Sequence, residues 1–219
     1  MDKTREMHGI IMIEEGDEIF KDADNHTNGI FEPASIKFWI EHLKRGQFAL
    51  DIGSYTGLYN LVAAKHGCNS YGFEPNPINL SRALKNRELN GFIGDEATFM
   101  RWAVSDREGK EIFSYNINRL SSIGKFGRVN EPNWVTVDVD VMTLDYHFMK
   151  DFPVCAIKVD TEGAEDKVLM GATSILKQWK PALILELQTM DHIKYHSDYL
   201  KQFGYTYFER VDGRNLICE

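Results

Sequence analysis

The sequence predicts an α/β domain with a doubly wound, mostly parallel sheet that carries its ligand at the C-terminal strand ends. Three observations lead there. Short apolar runs alternate with helix-period patterns five times along the chain, the signature of strand-helix units assembling into a parallel sheet. One such run, Phe48-Ala49-Leu50-Asp51-Ile52, passes directly into a loop holding Gly53 and Gly57 and then into the helical pattern Leu58, Leu61, Val62. Asp51, Glu74, Val104, Asp160 and Glu186 each stand at the end of an expected strand, and open α/β sheets bind ligands at that edge.

Ahead of the glycine loop, residues 10–13 and 18–20 flank Glu14-Glu15-Gly16-Asp17 and read as a small hairpin. Residues 21–29 are polar and rich in Asn and Asp, which reads as a loop. Pro33 suits a first helical position, and Ile36, Trp39, Ile40 and Leu43 follow at i, i+3, i+4 and i+7 before Gly46 ends the helix. Residues 1–46 thus form an N-terminal hairpin, loop and helix, and 47–219 the core of one domain.

The helix from Leu58 ends near Gly67, and 70–73 is a second strand finishing at Glu74. Asn76 is placed as an N-cap and Pro77 at N1 of a helix marked by Leu80, Ala83 and Leu84 and stopped by Asn90-Gly91. Residues 98–104 read as the third strand. The stretch 110–134 is irregular, with a strand at 111–115 and a long loop after it. Val135, Val137, Val139 and Val141 then alternate with Thr136, Asp138 and Asp140, a period of two that predicts a half-buried antiparallel strand. A β-hairpin inserted at about 110–145 accounts for both strands. The fourth strand, 154–159, ends at Asp160; one helix follows, its buried face marked by Val168, Ala172, Ile175, Leu176 and Trp179. The fifth strand is 182–187. After a helix ending at Gly204, 205–211 pairs with 216–219 across Asp212-Gly213-Arg214-Asn215, a C-terminal antiparallel hairpin.

With 219 residues, 43% of them hydrophobic and 26% charged, the composition is that of a soluble globular domain. The net charge of −8, without clustered Lys or Arg, argues against a duplex nucleic-acid partner and against acidic membranes. Cys68, Cys155 and Cys218 are odd in number, widely spaced and set among apolar neighbours, so buried thiols in a reducing compartment are expected, with no zinc spacing. The start is polar and no apolar run approaches the ~20 residues of a membrane span, so a cytoplasmic location is the expectation.

The glycine loop also indicates its ligand. A pyrophosphate would be repelled by Asp51 at the mouth of the loop, whereas S-adenosylmethionine carries an ammonium and a sulfonium that the acid attracts, and the helix N-terminus can take its carboxylate. Glu74, 23 residues beyond Asp51, is spaced to accept hydrogen bonds from two ribose hydroxyls. An NAD-dependent oxidoreductase is the alternative.

Four blocks, Phe31-Glu32-Pro33, Leu50-Asp51-Ile52-Gly53 to Gly57, Glu74-Pro75-Asn76 and Ile157-Lys158-Val159-Asp160-Thr161-Glu162-Gly163-Ala164-Glu165, resemble the FkbM family of S-adenosylmethionine-dependent methyltransferases over residues 31–187. Ala103-Val104-Ser105-Asp106, Ser121-Ser122 and Thr143-Leu144-Asp145 are shorter echoes. The resemblance implies the class I methyltransferase (Rossmann-like) fold, a seven-stranded sheet with one reversed strand. It implies S-adenosyl-L-methionine as cofactor, S-adenosyl-L-homocysteine as product, and cofactor contacts from Asp51, Gly53, Ser54, Tyr55, Gly57, Glu74, Pro75, Asn76, Val104, Ser105 and Asp160. It also implies O-methylation of a hydroxyl on a sugar, glycan or other hydroxylated small molecule. Where the family usually has Ala-Asn between the glycines, this chain has Ser54-Tyr55; Tyr55 either covers the methionine end or points away.

An alcohol is a poor nucleophile and needs a nearby base or a metal. Asp160, at the fourth strand tip, is the first candidate, with Glu162 and His192 beside it; Glu165 fits equally well as a helix-dipole partner. A Mg²⁺ held by Asp160, Glu162 and Glu186 is a less favoured alternative, and zinc on His192 and His196 lacks a third ligand. Acids gathered at the methyl end favour an enzyme over an inactive cofactor-binding module, because like charges there oppose one another. Acceptor recognition is expected from 21–31 and 116–133, with Arg119, Ser121, Ser122 and Glu186 as polar contacts and Phe113, Tyr115, Phe126 and Trp134 as apolar faces. The alternative role for the second segment is a homodimer contact.

Overall fold

The structure, a computed structural model, describes residues 2–118, 120, 124–148 and 151–219. The chain opens with an antiparallel hairpin of β1 (Thr4–Met7) and β2 (Ile10–Ile13), turned by His8 and Gly9 at positive φ. Asp17 then caps α1 (Glu18–His26), its Oδ1 accepting the Ile19 N–H at 3.0 Å. Two expectations are corrected here. The partner of β2 is the strand before it, and the polar run at 21–29 is largely helix, because Ile19, Phe20 and Ala23 form an apolar stripe buried in the core. That stripe is short, and the Asn- and Asp-rich composition masks it.

The helix α2 (Pro33–His42) leads to β3 (Phe48–Ile52), α3 (Leu58–Lys65), β4 (Asn69–Phe73), α4 (Pro77–Leu89) and β5 (Ala97–Met100). The N-cap and N1 positions expected for α4 hold: Asn76 Oδ1 accepts the Ile78 N–H at 3.0 Å. The third strand divides. β5 stays in the main sheet, while β6 (Trp102–Val104) joins a second sheet with β7 (Gly109–Asn116), β8 (Lys125–Phe126) and β9 (Trp134–Met142), in the order β6-β9-β7-β8. The antiparallel β7 and β9 are the expected insertion, with Val139 and Val141 buried and Asp138 and Asp140 exposed.

Beyond α5 (Leu144–His147) and β10 (Val154–Val159), the single expected helix is broken into α6 (Glu165–Met170) and α7 (Thr173–Trp179). Gly171 lies at the break, packed so closely that a Cβ there would lie 2.0 Å from the Ser105 carbonyl oxygen. The chain ends with β11 (Ala182–Glu186), α8 (Met190–Lys201), β12 (Phe208–Val211) and β13 (Asn215–Cys218).

Among the described residues the main sheet has seven strands in the order β12-β13-β11-β10-β3-β4-β5, and β13 alone runs against its neighbours. One face packs on Phe20, Trp39, Tyr59 and Leu61, the other on Phe148, Val168, Leu176 and Leu200. All three cysteines are free and buried. The terminal hairpin is tied back to α2 by Asp212, whose Oδ2 accepts both the N–H and the Oγ–H of Ser35 at 2.7 Å. Its turn therefore sits at the same edge as the ends of β3, β4, β10 and β11.

Candidate functional site

The loop after β3 is built around one close approach. Gly53, at φ 77°, packs against the chain leaving β10 so tightly that a Cβ would fall 1.7 Å from the Asp160 carbonyl oxygen. Glu74 stitches this loop to the next: its Oε2 accepts the Tyr55 N–H at 2.9 Å and its Oε1 the Asn76 N–H at 2.8 Å. Burial nevertheless pushes its carboxyl up to about 8. Glu74 and Pro75 border an apolar cavity of ≈ 70 Å³ walled by Trp102, Val104, Phe113 and Phe126, a slot whose rim acid can still accept donors on its remaining lone pairs. An adenosine fits that combination. Phe113 and Phe126, expected at the acceptor, line this slot, since β7 and β8 fold over it.

A second cavity, ≈ 300 Å³, opens beside it under α1, with Glu18, Asp22 and Asn25 at i, i+4 and i+7 on its wall. Tyr55 lies between the two cavities, its hydroxyl accepting the Glu18 N–H at 3.1 Å, so its ring is turned toward α1. Asp51 is 2% exposed. Its Oδ2 accepts the Asn60 N–H at the start of α3 at 3.1 Å, while its Oδ1 has no partner. Asp51 thus takes one of the N–H donors of the α3 N-terminus, the group expected to receive the ligand's carboxylate, and leaves the other free N–H groups of that turn. Burial raises the Asp51 carboxyl to about 6 against the pull of Lys158, which stands opposite it in register on β10. An orphaned carboxylate oxygen in a cavity fits an ammonium.

Two cations that are not among the expected site residues organise this edge. Lys158 Nζ lies 2.8 Å from Asp160 Oδ2 and 4.9 Å from the centre of the Tyr59 ring. The Tyr59 hydroxyl donates to Glu32 Oε2 at 2.7 Å, and Arg214 reaches Glu32 at 3.3 Å, Asp22 at 3.3 Å and Glu186 at 3.4 Å. The acids are therefore interleaved with charge of the other sign rather than simply opposed, which corrects the like-charge argument. Burial works to raise Asp160, but Lys158 and the hydrogen bonds from Glu186 and Lys158 outweigh it and hold Asp160 below the usual carboxylate range. Glu186 is driven up to about 9 by burial and by the Asp160 charge, so it keeps its proton and donates to Asp160. A lysine inside the otherwise apolar strand Val154–Val159 signals a required partner, so the sequence does mark Lys158. Arg214 sits in an ordinary turn motif that carries no such signal.

Asp160 and Glu162 line both cavities and a third, ≈ 70 Å³, bordered by Glu165, Glu186, Gln188 and His192. Glu162 holds a left-handed backbone, φ 57°, and burial, then the charges of Asp160 and Glu165, raise its pKa. Glu165 Oε1 accepts from Thr161 N and Oγ1 and from Gly163 N, bracing the loop that carries Glu162. His192 is exposed at the rim, and His196 is buried against the His192 carbonyl at 2.7 Å. Ser54 lines the second cavity, whereas Gly57, Asn76 and Ser105 line none of the three; Gly57 starts α3 against the Phe99 ring and the Ser105 N–H donates to Met142. Arg119, Ser121 and Ser122 lie outside the described residues. Among the described residues no three His, Cys, Asp or Glu side chains are arranged to hold a metal ion, and no helix is long and apolar enough to cross a membrane.

A seven-stranded sheet with one reversed strand, bearing a slot beside Glu74 and a cavity over Asp51 at its strand ends, defines a class I methyltransferase fold. The sequence profile of the methyltransferase FkbM domain matches residues 51–207, and the chain belongs to that family. Among solved structures it is similar to methyltransferase FkbM from Methylobacillus flagellatus KT, with TM-score 0.57 and 17% identity over 79% of this chain and 43% of that one. The chain thus spans less than half the length of that relative. An rRNA methylase from Streptococcus thermophilus gives TM-score 0.54 and 13% identity over 84% and 92% of the two chains. The tRNA (uracil-54, C5)-methyltransferase of Pyrococcus abyssi, in complex with S-adenosyl-L-homocysteine, gives 0.52 and 14% over 99% and 43%. Comparison with curated proteins gives no match. RNA methylases share this fold, so the exclusion of nucleic acid drawn from net charge has no support from it.

Proposed function

We propose that the chain is an S-adenosyl-L-methionine-dependent O-methyltransferase acting on a hydroxyl of a sugar, glycan or other hydroxylated small molecule. The observation that carries this reading is the position of Asp160 and Glu162, which line both the apolar slot and the larger polar cavity. When bound, S-adenosylmethionine supplies an electrophilic methyl group on a sulfonium. Glu74 would accept hydrogen bonds from the ribose hydroxyls, Trp102, Val104 and Phe113 would enclose the adenine, and the free oxygen of Asp51 would take the ammonium. Asp160 would accept the hydrogen bond of the acceptor hydroxyl and then its proton, while that oxygen took the methyl carbon and the carbon–sulfur bond broke to leave S-adenosylhomocysteine. Lys158 stabilises the Asp160 charge beforehand, and protonated Glu186 spares the site a second adjacent anion. His192 stands at the rim where the proton leaves for solvent.

An NAD-dependent reading requires pyrophosphate at the N-terminus of α3, where Asp51 already accepts from Asn60. Thermal shift separates the two. S-adenosylhomocysteine at a hundredfold over its dissociation constant is expected to add about 2.7 kcal/mol of stability. A shift with NADH and none with S-adenosylhomocysteine overturns the proposal. Binding without turnover of S-adenosylmethionine on any hydroxylated acceptor would leave an inactive binding module in its place.

A further inference from the structure

Lys158 stands between two acids and pairs with one of them. On β10 it lies opposite Asp51 of β3 in register, yet its ammonium turns to Asp160 at 2.8 Å, and the Asp51 Oδ1 is left without a partner in the same cavity. Charge alone leaves both directions open: burial works against the lysine's charge, while Asp160, Asp51, Glu32 and Glu186 all act to keep it protonated. The side chain that distinguishes the two directions is Tyr59, whose ring centre lies 4.9 Å from Lys158 Nζ. A cation over an aromatic face is attracted by the ring quadrupole, most strongly where water is excluded, and both residues are buried. The ring is pinned in that position. Its hydroxyl donates to Glu32 Oε2 at 2.7 Å, Arg214 holds Glu32 in turn at 3.3 Å, and Trp39 packs against it edge-on with ring centres 5.6 Å apart.

We infer that Tyr59 is a positioning residue, whose ring commits Lys158 to Asp160 and thereby keeps the Asp51 oxygen open for the ammonium of the cofactor. This rests on the methyltransferase reading. A lysine that swung to Asp51 would fill the place of the ligand's cation and at the same time strip Asp160 of its counter-charge. One lysine can therefore serve both acids only while something holds it to one side, and the ring is what stands there. Tyr59, Asp51, Lys158 and Asp160 all line the one cavity, so they are in place before a ligand arrives and binding is spared the cost of ordering them.

The test is calorimetric titration with S-adenosylhomocysteine and with its analogue in which a hydroxyl replaces the α-amine. The proteins are wild type, Tyr59→Phe, Tyr59→Leu and a variant with trifluorinated phenylalanine in place of Tyr59, which keeps the ring's shape and weakens its attraction for a cation. Wild type is expected to bind the amine about tenfold or more tighter than the hydroxyl analogue. Tyr59→Phe keeps the ring and should hold that ratio within about threefold, whereas Tyr59→Leu and the fluorinated ring should lower it about tenfold. The hydroxyl analogue should lose less than about threefold throughout, and its binding shows that each variant is folded. If Tyr59→Leu does not fold, the fluorinated ring decides. A ratio unmoved by fluorination, equal losses for the two ligands, a Tyr59→Phe protein as defective as the fluorinated one, or a wild type that does not distinguish the ligands each overturns the inference and leaves the methyltransferase reading standing. Failure of S-adenosylhomocysteine to bind the wild-type protein overturns that reading and the inference with it.

Discussion

Lys158 and Asp160 form an ion pair at 2.8 Å between residues two apart in sequence, with the lysine near the end of an otherwise apolar, fully buried strand and the acid just beyond its tip. A spacing of two puts both side chains on one face of the extended chain, so β10 carries its own counter-charge to the site. The pair stands between Asp51 on β3 and Glu186 on β11, which makes it the electrostatic centre of the edge.

Replacing Lys158 by Met removes that centre and leaves Asp160 without its ammonium. Loss of one partner from a buried pair costs about 3–5 kcal/mol, and in a domain of this size each kcal/mol is worth about 2–4 °C. A melting temperature within two or three degrees of wild type, about the shift of a single kcal/mol, would show that the pair is solvated.

The pH dependence of the ligand-free protein follows from the raised carboxyls. Asp51, Glu74 and Glu186 have folded pKa values of about 6, 8 and 9, above those of the unfolded chain, so the folded state binds more protons between those limits. Their stability contribution is complete below about pH 4 and is lost as pH rises through the folded values. Asp160, held low, works the other way and is lost only at acid pH. A melting temperature that falls steadily from pH 6 to 9 is expected; a flat or rising curve contradicts these assignments.

Glu186→Gln offers a sharper check on the same edge. A glutamine can donate to Asp160 and accept from Arg214 as the protonated acid does, so the cost near pH 7 should stay under ~1 kcal/mol. The upper part of the pH decline should flatten in this variant. Denaturant midpoints at pH 7 and pH 9 measure both.

Gly53→Ala and Gly16→Ala separate backbone strain from collision. Both glycines have positive φ, but nothing lies within 4 Å of a Cβ at Gly16, whereas one at Gly53 meets the Asp160 carbonyl at 1.7 Å. Gly16→Ala should cost only about 1–2 kcal/mol. Gly53→Ala should cost more and abolish the shift with S-adenosylhomocysteine; retained binding would show that the β3 and β10 loops can move apart.

Asp212→Ala tests the tie between the terminal hairpin and α2. Two N–H groups of the first helical turn and the Ser35 hydroxyl lose their acceptor, a cap worth about 0.5–2 kcal/mol. A cost below that range, read from urea unfolding, would mean that water replaces the carboxylate.

Features held in a few consecutive residues are legible in the sequence. The β3 loop, the Asn76-Pro77 helix start, the alternating strand at 134–142 and the reversed terminal hairpin all announce themselves through period, punctuation and turn chemistry, which neighbours along the chain enforce. Sequence and fold part company where packing overrides a weak local pattern. α1 has the composition of a loop, and a three-residue stripe is little evidence until it meets a core. β5 and β6 have the pattern of one strand because nothing local marks a change of sheet.

What the sequence determined by itself was the order of strand-helix units and the set of acids at their ends. Tertiary structure alone decided which cations meet them. Arg214 reaches Glu32 across 182 residues of chain because β13 runs antiparallel to β11, pairing Asn215 with Glu186 and bringing the hairpin turn to the strand-end edge. Charge pairing between segments so distant depends on strand order and direction, which follow from the packing of the whole sheet; the residues themselves specify only that a buried charge must find a partner.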